Sequence, residues 1–175
     1  MSILLLFVIV CGPYGTESQV RTTRGYIQSQ APTVRLEDLG QLTGEPWAGS
    51  LTYLDYRSNK KVSIPSNLTV TRVPGEEMSW VFEYQYPDEP QANSKQTVTI
   101  TEGGTVIDGE KVIERTALDG GALKLVTERT GSDNDRKALF RYTYLLGPST
   151  FSIKKEVRPE GAAAFFERNE YSWKR

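Results

Sequence analysis

Aromatic side chains alternate along two segments of the chain, and they are its clearest chemical signal. Every second residue is aromatic near position 82 and again near position 142, at Trp80, Phe82, Tyr84, Tyr86, Phe140, Tyr142 and Tyr144. Alternate residues of an extended strand point to the same face, so each segment has one aromatic face. Rings offer a large apolar contact area, and tyrosine hydroxyls orient a bound molecule. The pattern predicts either a ligand-lined cavity or a plain core.

Two basic residues join these rings in the predicted binding set. Lys155 is spaced by two from Ile153 and by four from Phe151, so it shares their face. Arg141 lies within the second aromatic segment. Rings together with one or two buried charges would give a cavity its selectivity. We therefore predict that the following residues contact a ligand: Trp80, Phe82, Tyr84, Tyr86, Tyr142, Tyr144, Arg141 and Lys155.

Catalytic and metal-binding chemistry has little support in the composition. The chain has no histidine, which excludes Ser-His and Cys-His catalysis and imidazole ligation of zinc or haem. Glu167 and Glu170 differ by three positions, so within a strand they point to opposite faces and do not form a hydrolytic pair. The segment 133–135 lacks the longer ligand spacing of a calcium loop. We predict no catalytic residue, no metal ligand and no cofactor.

Length and charge limit the remaining classes of function. A chain of 175 residues suits one domain with a sizeable core. Its 21 basic residues are balanced by 22 acidic ones, so no electrostatic surface for nucleic acid is expected.

The first residues predict export. The apolar run 3–10 has the length of a signal-peptide core and is too short to span a bilayer. We expect a signal peptide at 1–18, a flexible polar leader at 19–33, and a secreted or periplasmic protein without a transmembrane span. Against this, no Lys or Arg lies near Met1. A buried N-terminal strand is one alternative, and a lipid anchor at Cys11 is another, although Val10 is larger than the residue that normally precedes such a cysteine.

The rest of the chain predicts strands. Leu36, Leu39 and Leu42 indicate a short helix, and from residue 47 onward the pattern has period two. The expected strands are 47–56, 62–73, 79–86, 95–101, 110–117, 122–130, 138–146, 150–157 and 164–173, with a short extra strand at 104–107. Short Gly-rich links make neighbours antiparallel, and a long meander removes its edges by closing. We predict an all-β domain over 34–175, an antiparallel up-and-down closed barrel of 9–10 strands with a short N-terminal helix.

One junction resembles a known family. The stretch 42–53, with Gly44 shortly before Trp47, resembles the opening of lipocalin-like barrels of the calycin superfamily, including uncharacterised bacterial members. The architecture is similar to that of fatty-acid-binding and nitrobindin-like proteins. The resemblance implies that Gly44 and Trp47 form the barrel floor and that a late arginine, Arg168 by position, packs on the tryptophan. It does not imply haem binding, because the histidine ligand of nitrobindin-like proteins is missing.

The resemblance and the aromatic faces lead to one functional expectation. We expect a non-catalytic protein that binds a small apolar or amphipathic molecule in the barrel lumen, entered near the 87–94 and 131–136 loops. Two alternatives stay open. In the first, the chain is an envelope or extracellular interaction protein without a small-molecule ligand. In the second, it is a histidine-free enzyme that works through Tyr, Lys and carboxylate residues.

Overall fold

The computed structural model describes residues 31–55 and 57–175. The predicted signal peptide, Cys11 and most of the predicted leader lie outside these residues. Within the described part, no helix has the length and apolar character needed to cross a membrane. A single short α-helix is followed by ten strands, with bounds α1 Leu36–Gly40, β1 Trp47–Asp55, β2 Lys60–Arg72, β3 Ser79–Gln85, β4 Ser94–Thr101, β5 Val106–Ile107, β6 Glu110–Ala117, β7 Leu123–Asp133, β8 Arg136–Leu146, β9 Thr150–Pro159 and β10 Phe166–Lys174.

The strands form one closed antiparallel barrel. Each strand pairs with the next along the chain, and β1 pairs with both β2 and β10. Gly49 of β1 shows how this closure works, since it lies opposite Ser66 on one side and Trp173 on the other. The fold class predicted from the sequence is confirmed, including the up-and-down order and the short helix.

The two ends of the barrel differ because of strand direction. One end, called the closed end here, holds α1 and the β2–β3, β6–β7 and β8–β9 connections. The opposite end, called the open end, holds the β1–β2, β3–β4, β7–β8 and β9–β10 connections. Leu39 of α1 and Leu42, which follows the helix, are buried and fill the closed end. The predicted entrance loops, 87–94 and 131–136, both belong to the open end.

Polar bonds fasten α1 to the barrel wall. The guanidinium of Arg115, on β6, donates to both carboxylate oxygens of Asp38 at 2.9 and 2.7 Å. Asp38 also accepts the backbone N–H of Arg35 at 2.8 Å, which caps the first helical turn. Just before the helix, the N–H of Val34 donates to the carbonyl of Gly104 at 2.8 Å. The helix is thus tied to two separate parts of the wall.

Aromatic rings pack against the residues that fill the closed end. Trp47 meets Phe151 edge to face at 6.1 Å, and Phe151 stacks on Trp173 at 5.3 Å between ring centroids. The indole N–H of Trp47 donates to the carbonyl of Leu42 at 2.9 Å, so the ring is held against the segment that follows α1. Gly44 precedes it with a φ of +110°, a conformation that suits glycine.

The predicted arginine partner of Trp47 is wrong. Arg175, not Arg168, packs on this ring, with its Cζ 4.1 Å from the ring centroid. Arg175 also donates to the carbonyls of Gln41 and Thr43 at 2.7 and 3.1 Å. Arg168 lies near the other end of β10, 3.9 Å from a carboxylate oxygen of Asp133. β10 runs from the open end to the closed end. Arg168 is near its start and therefore far from Trp47, whereas Arg175 follows its last residue at the closed end.

Candidate functional site

A cavity of about 590 Å³ lies inside the barrel, above the closed end. Its deeper wall is apolar and includes Leu39, Phe82, Val98, Ile107 and Ile153. Its outer wall is polar, and it consists of Ser94, Gln96, Asp108, Glu110, Arg129, Lys155 and Asn169. A volume of this size and such a division of the wall suit one small amphipathic molecule.

The shortest strand, β5, covers only a small part of the barrel wall beside this cavity. β5 has only two residues, and the Asp108–Gly109 turn connects it to β6 beside the cavity. Asp108 has a φ of +49°, and Gly109 has a φ of +76°, as a tight hairpin turn requires. The side-chain amide of Gln96, on β4, donates to the carboxylate of Asp108. This contact joins β4 to the turn between β5 and β6.

A buried carboxyl group lies at the centre of the polar wall. Glu110 is 6% exposed, and its Oε2 accepts hydrogen bonds from Thr127 at 2.5 Å and Tyr144 at 3.4 Å. Its Oε1 lies 3.6 Å from Nε of Arg129. Burial raises the pKa of Glu110 to about 6, although Thr127, Arg129 and Tyr144 act in the opposite direction. The cavity therefore contains an acid that titrates near neutral pH.

The cavity tyrosines remain uncharged phenols. Burial raises the pKa of Tyr144 well above its ordinary value, and the nearby Glu110 adds to the effect. Burial likewise raises the pKa of Tyr84, Tyr142 and Tyr171. Neutral phenols can both donate and accept hydrogen bonds. The cavity wall thus offers hydroxyl groups to a polar ligand.

Two cations share the aromatic rings at the outer part of the cavity. Arg129 Cζ lies 4.7 Å from the centroid of the Phe140 ring, and Lys155 Nζ also lies 4.7 Å from it. The same pair lies 5.9 and 5.7 Å from the centroid of the Tyr142 ring. Tyr142 also accepts a hydrogen bond from Arg129 at 3.3 Å. Burial and the charge of Arg129 lower the pKa of Lys155.

A second aromatic group supports the cavity from the β10 side. Tyr171 stacks on Trp173 with 5.0 Å between centroids and lies 5.3 Å from Tyr84. Its hydroxyl is 2.7 Å from the hydroxyl of Tyr86. This hydrogen bond joins the residue that follows β3 to β10. Tyr86 is thus buried behind Tyr171 and orients it.

The structure places five of the eight predicted ligand-contacting residues in the cavity wall. These are Phe82, Tyr84, Tyr142, Tyr144 and Lys155. Trp80 belongs to the packed core instead, and the guanidinium carbon of Arg72 lies 5.2 Å from its ring centroid. Tyr86 contacts the wall residue Tyr171 without itself lining the cavity.

The prediction that Arg141 lies in the lumen is wrong. Arg141 is on the outer face of β8, where it donates two hydrogen bonds to Glu128 at 2.9 and 2.7 Å. Its guanidinium carbon is also 4.0 Å from the centroid of the Phe165 ring. The physical reason is strand alternation, because Tyr142 and Tyr144 face inward and an odd-numbered neighbour must face outward.

Glu110 and Arg129 were missed by the sequence reasoning. Glu110 is spaced by two from the buried Val112, and Arg129 is spaced by two from the buried Thr127. Both therefore occupy inward positions that alternation could have indicated. They were not predicted to face the lumen, because charged residues in strands usually face solvent.

Another hollow, of about 610 Å³, lies beside the β7–β8 and β9–β10 connections. It is lined by the adjoining ends of β7, β8 and β9 and by the start of the β9–β10 connection, including Gly131, Lys137, Arg158 and Gly161. The buried Glu110 and the half-buried Lys155 lie in the lumen and not in this hollow. The lumen is accordingly the better candidate site. Among residues 31–55 and 57–175, no group of three acidic or cysteine side chains is placed to hold a metal ion.

The chain is similar to Rv2717c from M. tuberculosis, known from a crystal structure, with a TM-score of 0.46 and 12% sequence identity. The superposition covers 80% of this chain and 96% of that chain. No protein-family model matches the chain, and no curated protein matches it.

Proposed function

We propose that this barrel is a lipocalin-like protein that holds one small apolar or amphipathic molecule in its lumen and does not turn it over. The interior cavity of about 590 Å³, apolar in its depth and polar at its outer part, carries this proposal. The apolar part of a ligand would lie against Phe82, Val98 and Ile153. Its polar end would lie among Glu110, Arg129, Lys155 and the tyrosine hydroxyls.

Binding of a neutral fluorescent probe tests the proposal. N-phenyl-1-naphthylamine fluoresces strongly in apolar surroundings, so we expect saturable enhancement with the wild-type protein. Gln96 lines the outer cavity, so Gln96→Trp should obstruct it and weaken binding at least about tenfold, or about 1.4 kcal/mol. Thr97, its outward-facing neighbour on β4, supplies the control Thr97→Trp, which should bind as the wild type does. Equal binding by all three proteins would place the probe outside the lumen and contradict the proposal.

We also propose that the protein is exported. The apolar run 3–10, followed by polar residues, supports this. Fusion of residues 1–33 to a reporter enzyme that is active only outside the cytoplasm provides the test. Activity should appear with the intact segment and disappear when Leu4, Leu5 and Leu6 are replaced by Asp. A reporter that stays inactive with the intact segment would refute export.

A further inference from the structure

Lys155 differs from Arg129 and Arg168 because, among the described residues, no carboxylate lies within ion-pair distance of it. Arg129 lies 3.6 Å from Glu110, and Arg168 lies 3.9 Å from Asp133. In the described part of the chain, Lys155 has neither a carboxylate within ion-pair distance nor a hydrogen bond, although it lines the cavity. A half-buried ammonium without a counter-ion is an unfavourable arrangement.

The surroundings of Lys155 lower the pKa of its amine. Burial lowers the pKa of this amine, and the guanidinium groups of Arg129 and Arg168 act in the same direction. The carboxylates of Asp133 and Glu110 oppose them without reversing the result. The ring faces that would stabilise a cation are already shared with Arg129. Lysines become nucleophilic when they are desolvated or lie beside another cation.

We propose that Lys155 captures an apolar aldehyde or ketone in the cavity as a Schiff base. The inference rests on the proposed function, since the carbonyl compound must first enter the lumen. Below Lys155, the apolar side chains of Val98, Ile107 and Ile153 would receive the hydrocarbon part of the molecule. The cavity volume limits the ligand to a small compound with one or two rings or a short chain.

The proposed reaction needs no oxidant or reductant. The lone pair of Lys155 Nζ forms a bond to the carbonyl carbon, and the π electrons of the C=O bond move to oxygen. The oxygen gains a proton as the nitrogen loses one, which gives a carbinolamine. The C–O bond then breaks, the oxygen leaves as water with a second proton, and nitrogen loses its remaining proton as the C=N bond forms. We assign the exchange of these protons to Glu110, a carboxyl group that lines the same cavity.

Reductive trapping tests this chemistry. The full protein is incubated at neutral pH with 2-naphthaldehyde and sodium cyanoborohydride, which reduces an imine to a stable secondary amine. Peptide mapping by mass spectrometry should locate the dominant adduct on Lys155. Lys155→Arg cannot form an imine and should lose this adduct. Lys154→Arg is the matched control, because Lys154 is the outward neighbour on β9 and lies 3.6 Å from Glu156. The Lys154→Arg variant should be labelled at Lys155 to the same extent as the wild type.

A second probe separates the two proposals. 2-Naphthylmethanol has the same rings without the carbonyl group, so it reports binding alone, measured as displacement of N-phenyl-1-naphthylamine. If the alcohol binds but the aldehyde labels Lys155 no more than exposed lysines, the Schiff-base inference is overturned and lumen binding stands. Selective labelling of Lys155 supports the inference whether or not the alcohol binds. If neither occurs, both proposals fail. The adduct is mapped in wild-type protein, so the test does not depend on how well Lys155→Arg folds.

Discussion

Glu110 shows how one buried side chain makes the fold sensitive to pH. Its pKa is 4.5 in the unfolded chain and about 6 in the folded protein, because burial disfavours the carboxylate. Between these values the folded state binds more protons than the unfolded state does. The contribution of protonated Glu110 to the stability of the folded state is therefore complete below pH 4.5 and is lost as the pH rises through 6.

We expect this loss to be measurable. From pH 4 to pH 7.5, the free energy of unfolding should fall by about 2 kcal/mol more in the wild type than in Glu110→Gln, because the amide does not titrate. Denaturant titrations at several pH values provide the measurement. Glu45→Gln, at an exposed position, is the control and should follow the wild-type curve. Parallel curves for the wild type and Glu110→Gln would show that Glu110 ionises freely in the folded state.

Single residues also show how far the sequence could predict the candidate site. Lys155 lines the cavity, and it shares the parity of the buried Phe151 and Ile153 within one strand. Arg141 failed by the same rule, since its neighbours at 140 and 142 have the opposite parity. Alternation assigns a face, but it does not reveal which charged residues the interior tolerates. That depends on partners from other strands, such as Thr127 for Glu110.

Among the elements, α1 is too short to be stable alone and depends on its contacts with the barrel. Asp38 is 4% exposed, and its carboxylate accepts from Arg115 and from the backbone of Arg35. Asp38→Ala removes these acceptors and leaves the half-buried guanidinium unpaired. We expect a loss of about 3 kcal/mol in the free energy of unfolding, measured by denaturant titration.

The neighbouring residue Glu37 supplies the control for this prediction. Its side chain is 68% exposed, and its ion pair with Arg35 spans 3.8 Å at the surface. Glu37→Ala should change the free energy of unfolding by less than about 0.5 kcal/mol. If Asp38→Ala were equally mild, the bonds between α1 and β6 would not contribute to closing the barrel.

The elements themselves were largely predictable, because turn chemistry and period-two patterning act locally. Each predicted strand has a counterpart, and the short extra strand at 104–107 corresponds to β5, Val106–Ile107. The predicted short helix at Leu36, Leu39 and Leu42 corresponds to α1. The docking of α1 over the closed end was not predicted, because it depends on Asp38 and Arg115, which are far apart in sequence.

For the whole molecule, closure of the barrel requires a close approach between its first and last paired strands. A Cβ atom at Gly49 would lie 2.0 Å from the carbonyl oxygen of Ser172 and 2.7 Å from Cα of Trp173, both on the β10 backbone. Gly49→Ala should therefore separate β1 from β10 and lower the free energy of unfolding by at least about 2 kcal/mol. Thermal and denaturant unfolding measure this loss.

Gly40 is the matched control for Gly49. A Cβ atom at Gly40 would meet nothing within 4 Å, and the residue ends a helix, where alanine is favoured over glycine. Gly40→Ala should be neutral or should stabilise the protein by up to about 1 kcal/mol. Equal stability of Gly49→Ala and the wild type would mean that β1 and β10 can move apart without loss.

The cavity itself was the least predictable property of the whole molecule. A small barrel is either filled by its side chains or holds a ligand, and the sequence allowed both. The outcome depends on the summed volumes of inward residues from all the strands. Trp80, Trp173 and Phe151 fill the closed end, whereas Gln96, Asn169 and Lys155 leave room near the open end.

The pairing of β1 with β10 also has a consequence for biosynthesis. β1 reaches its second partner only after the ribosome has made the nine following strands. Until then, the nascent chain carries two unpaired edges, at β1 and at the most recently made strand. Exposed edges of this kind pair readily with other chains. The incomplete barrel is therefore prone to aggregate until β10 has paired with β1.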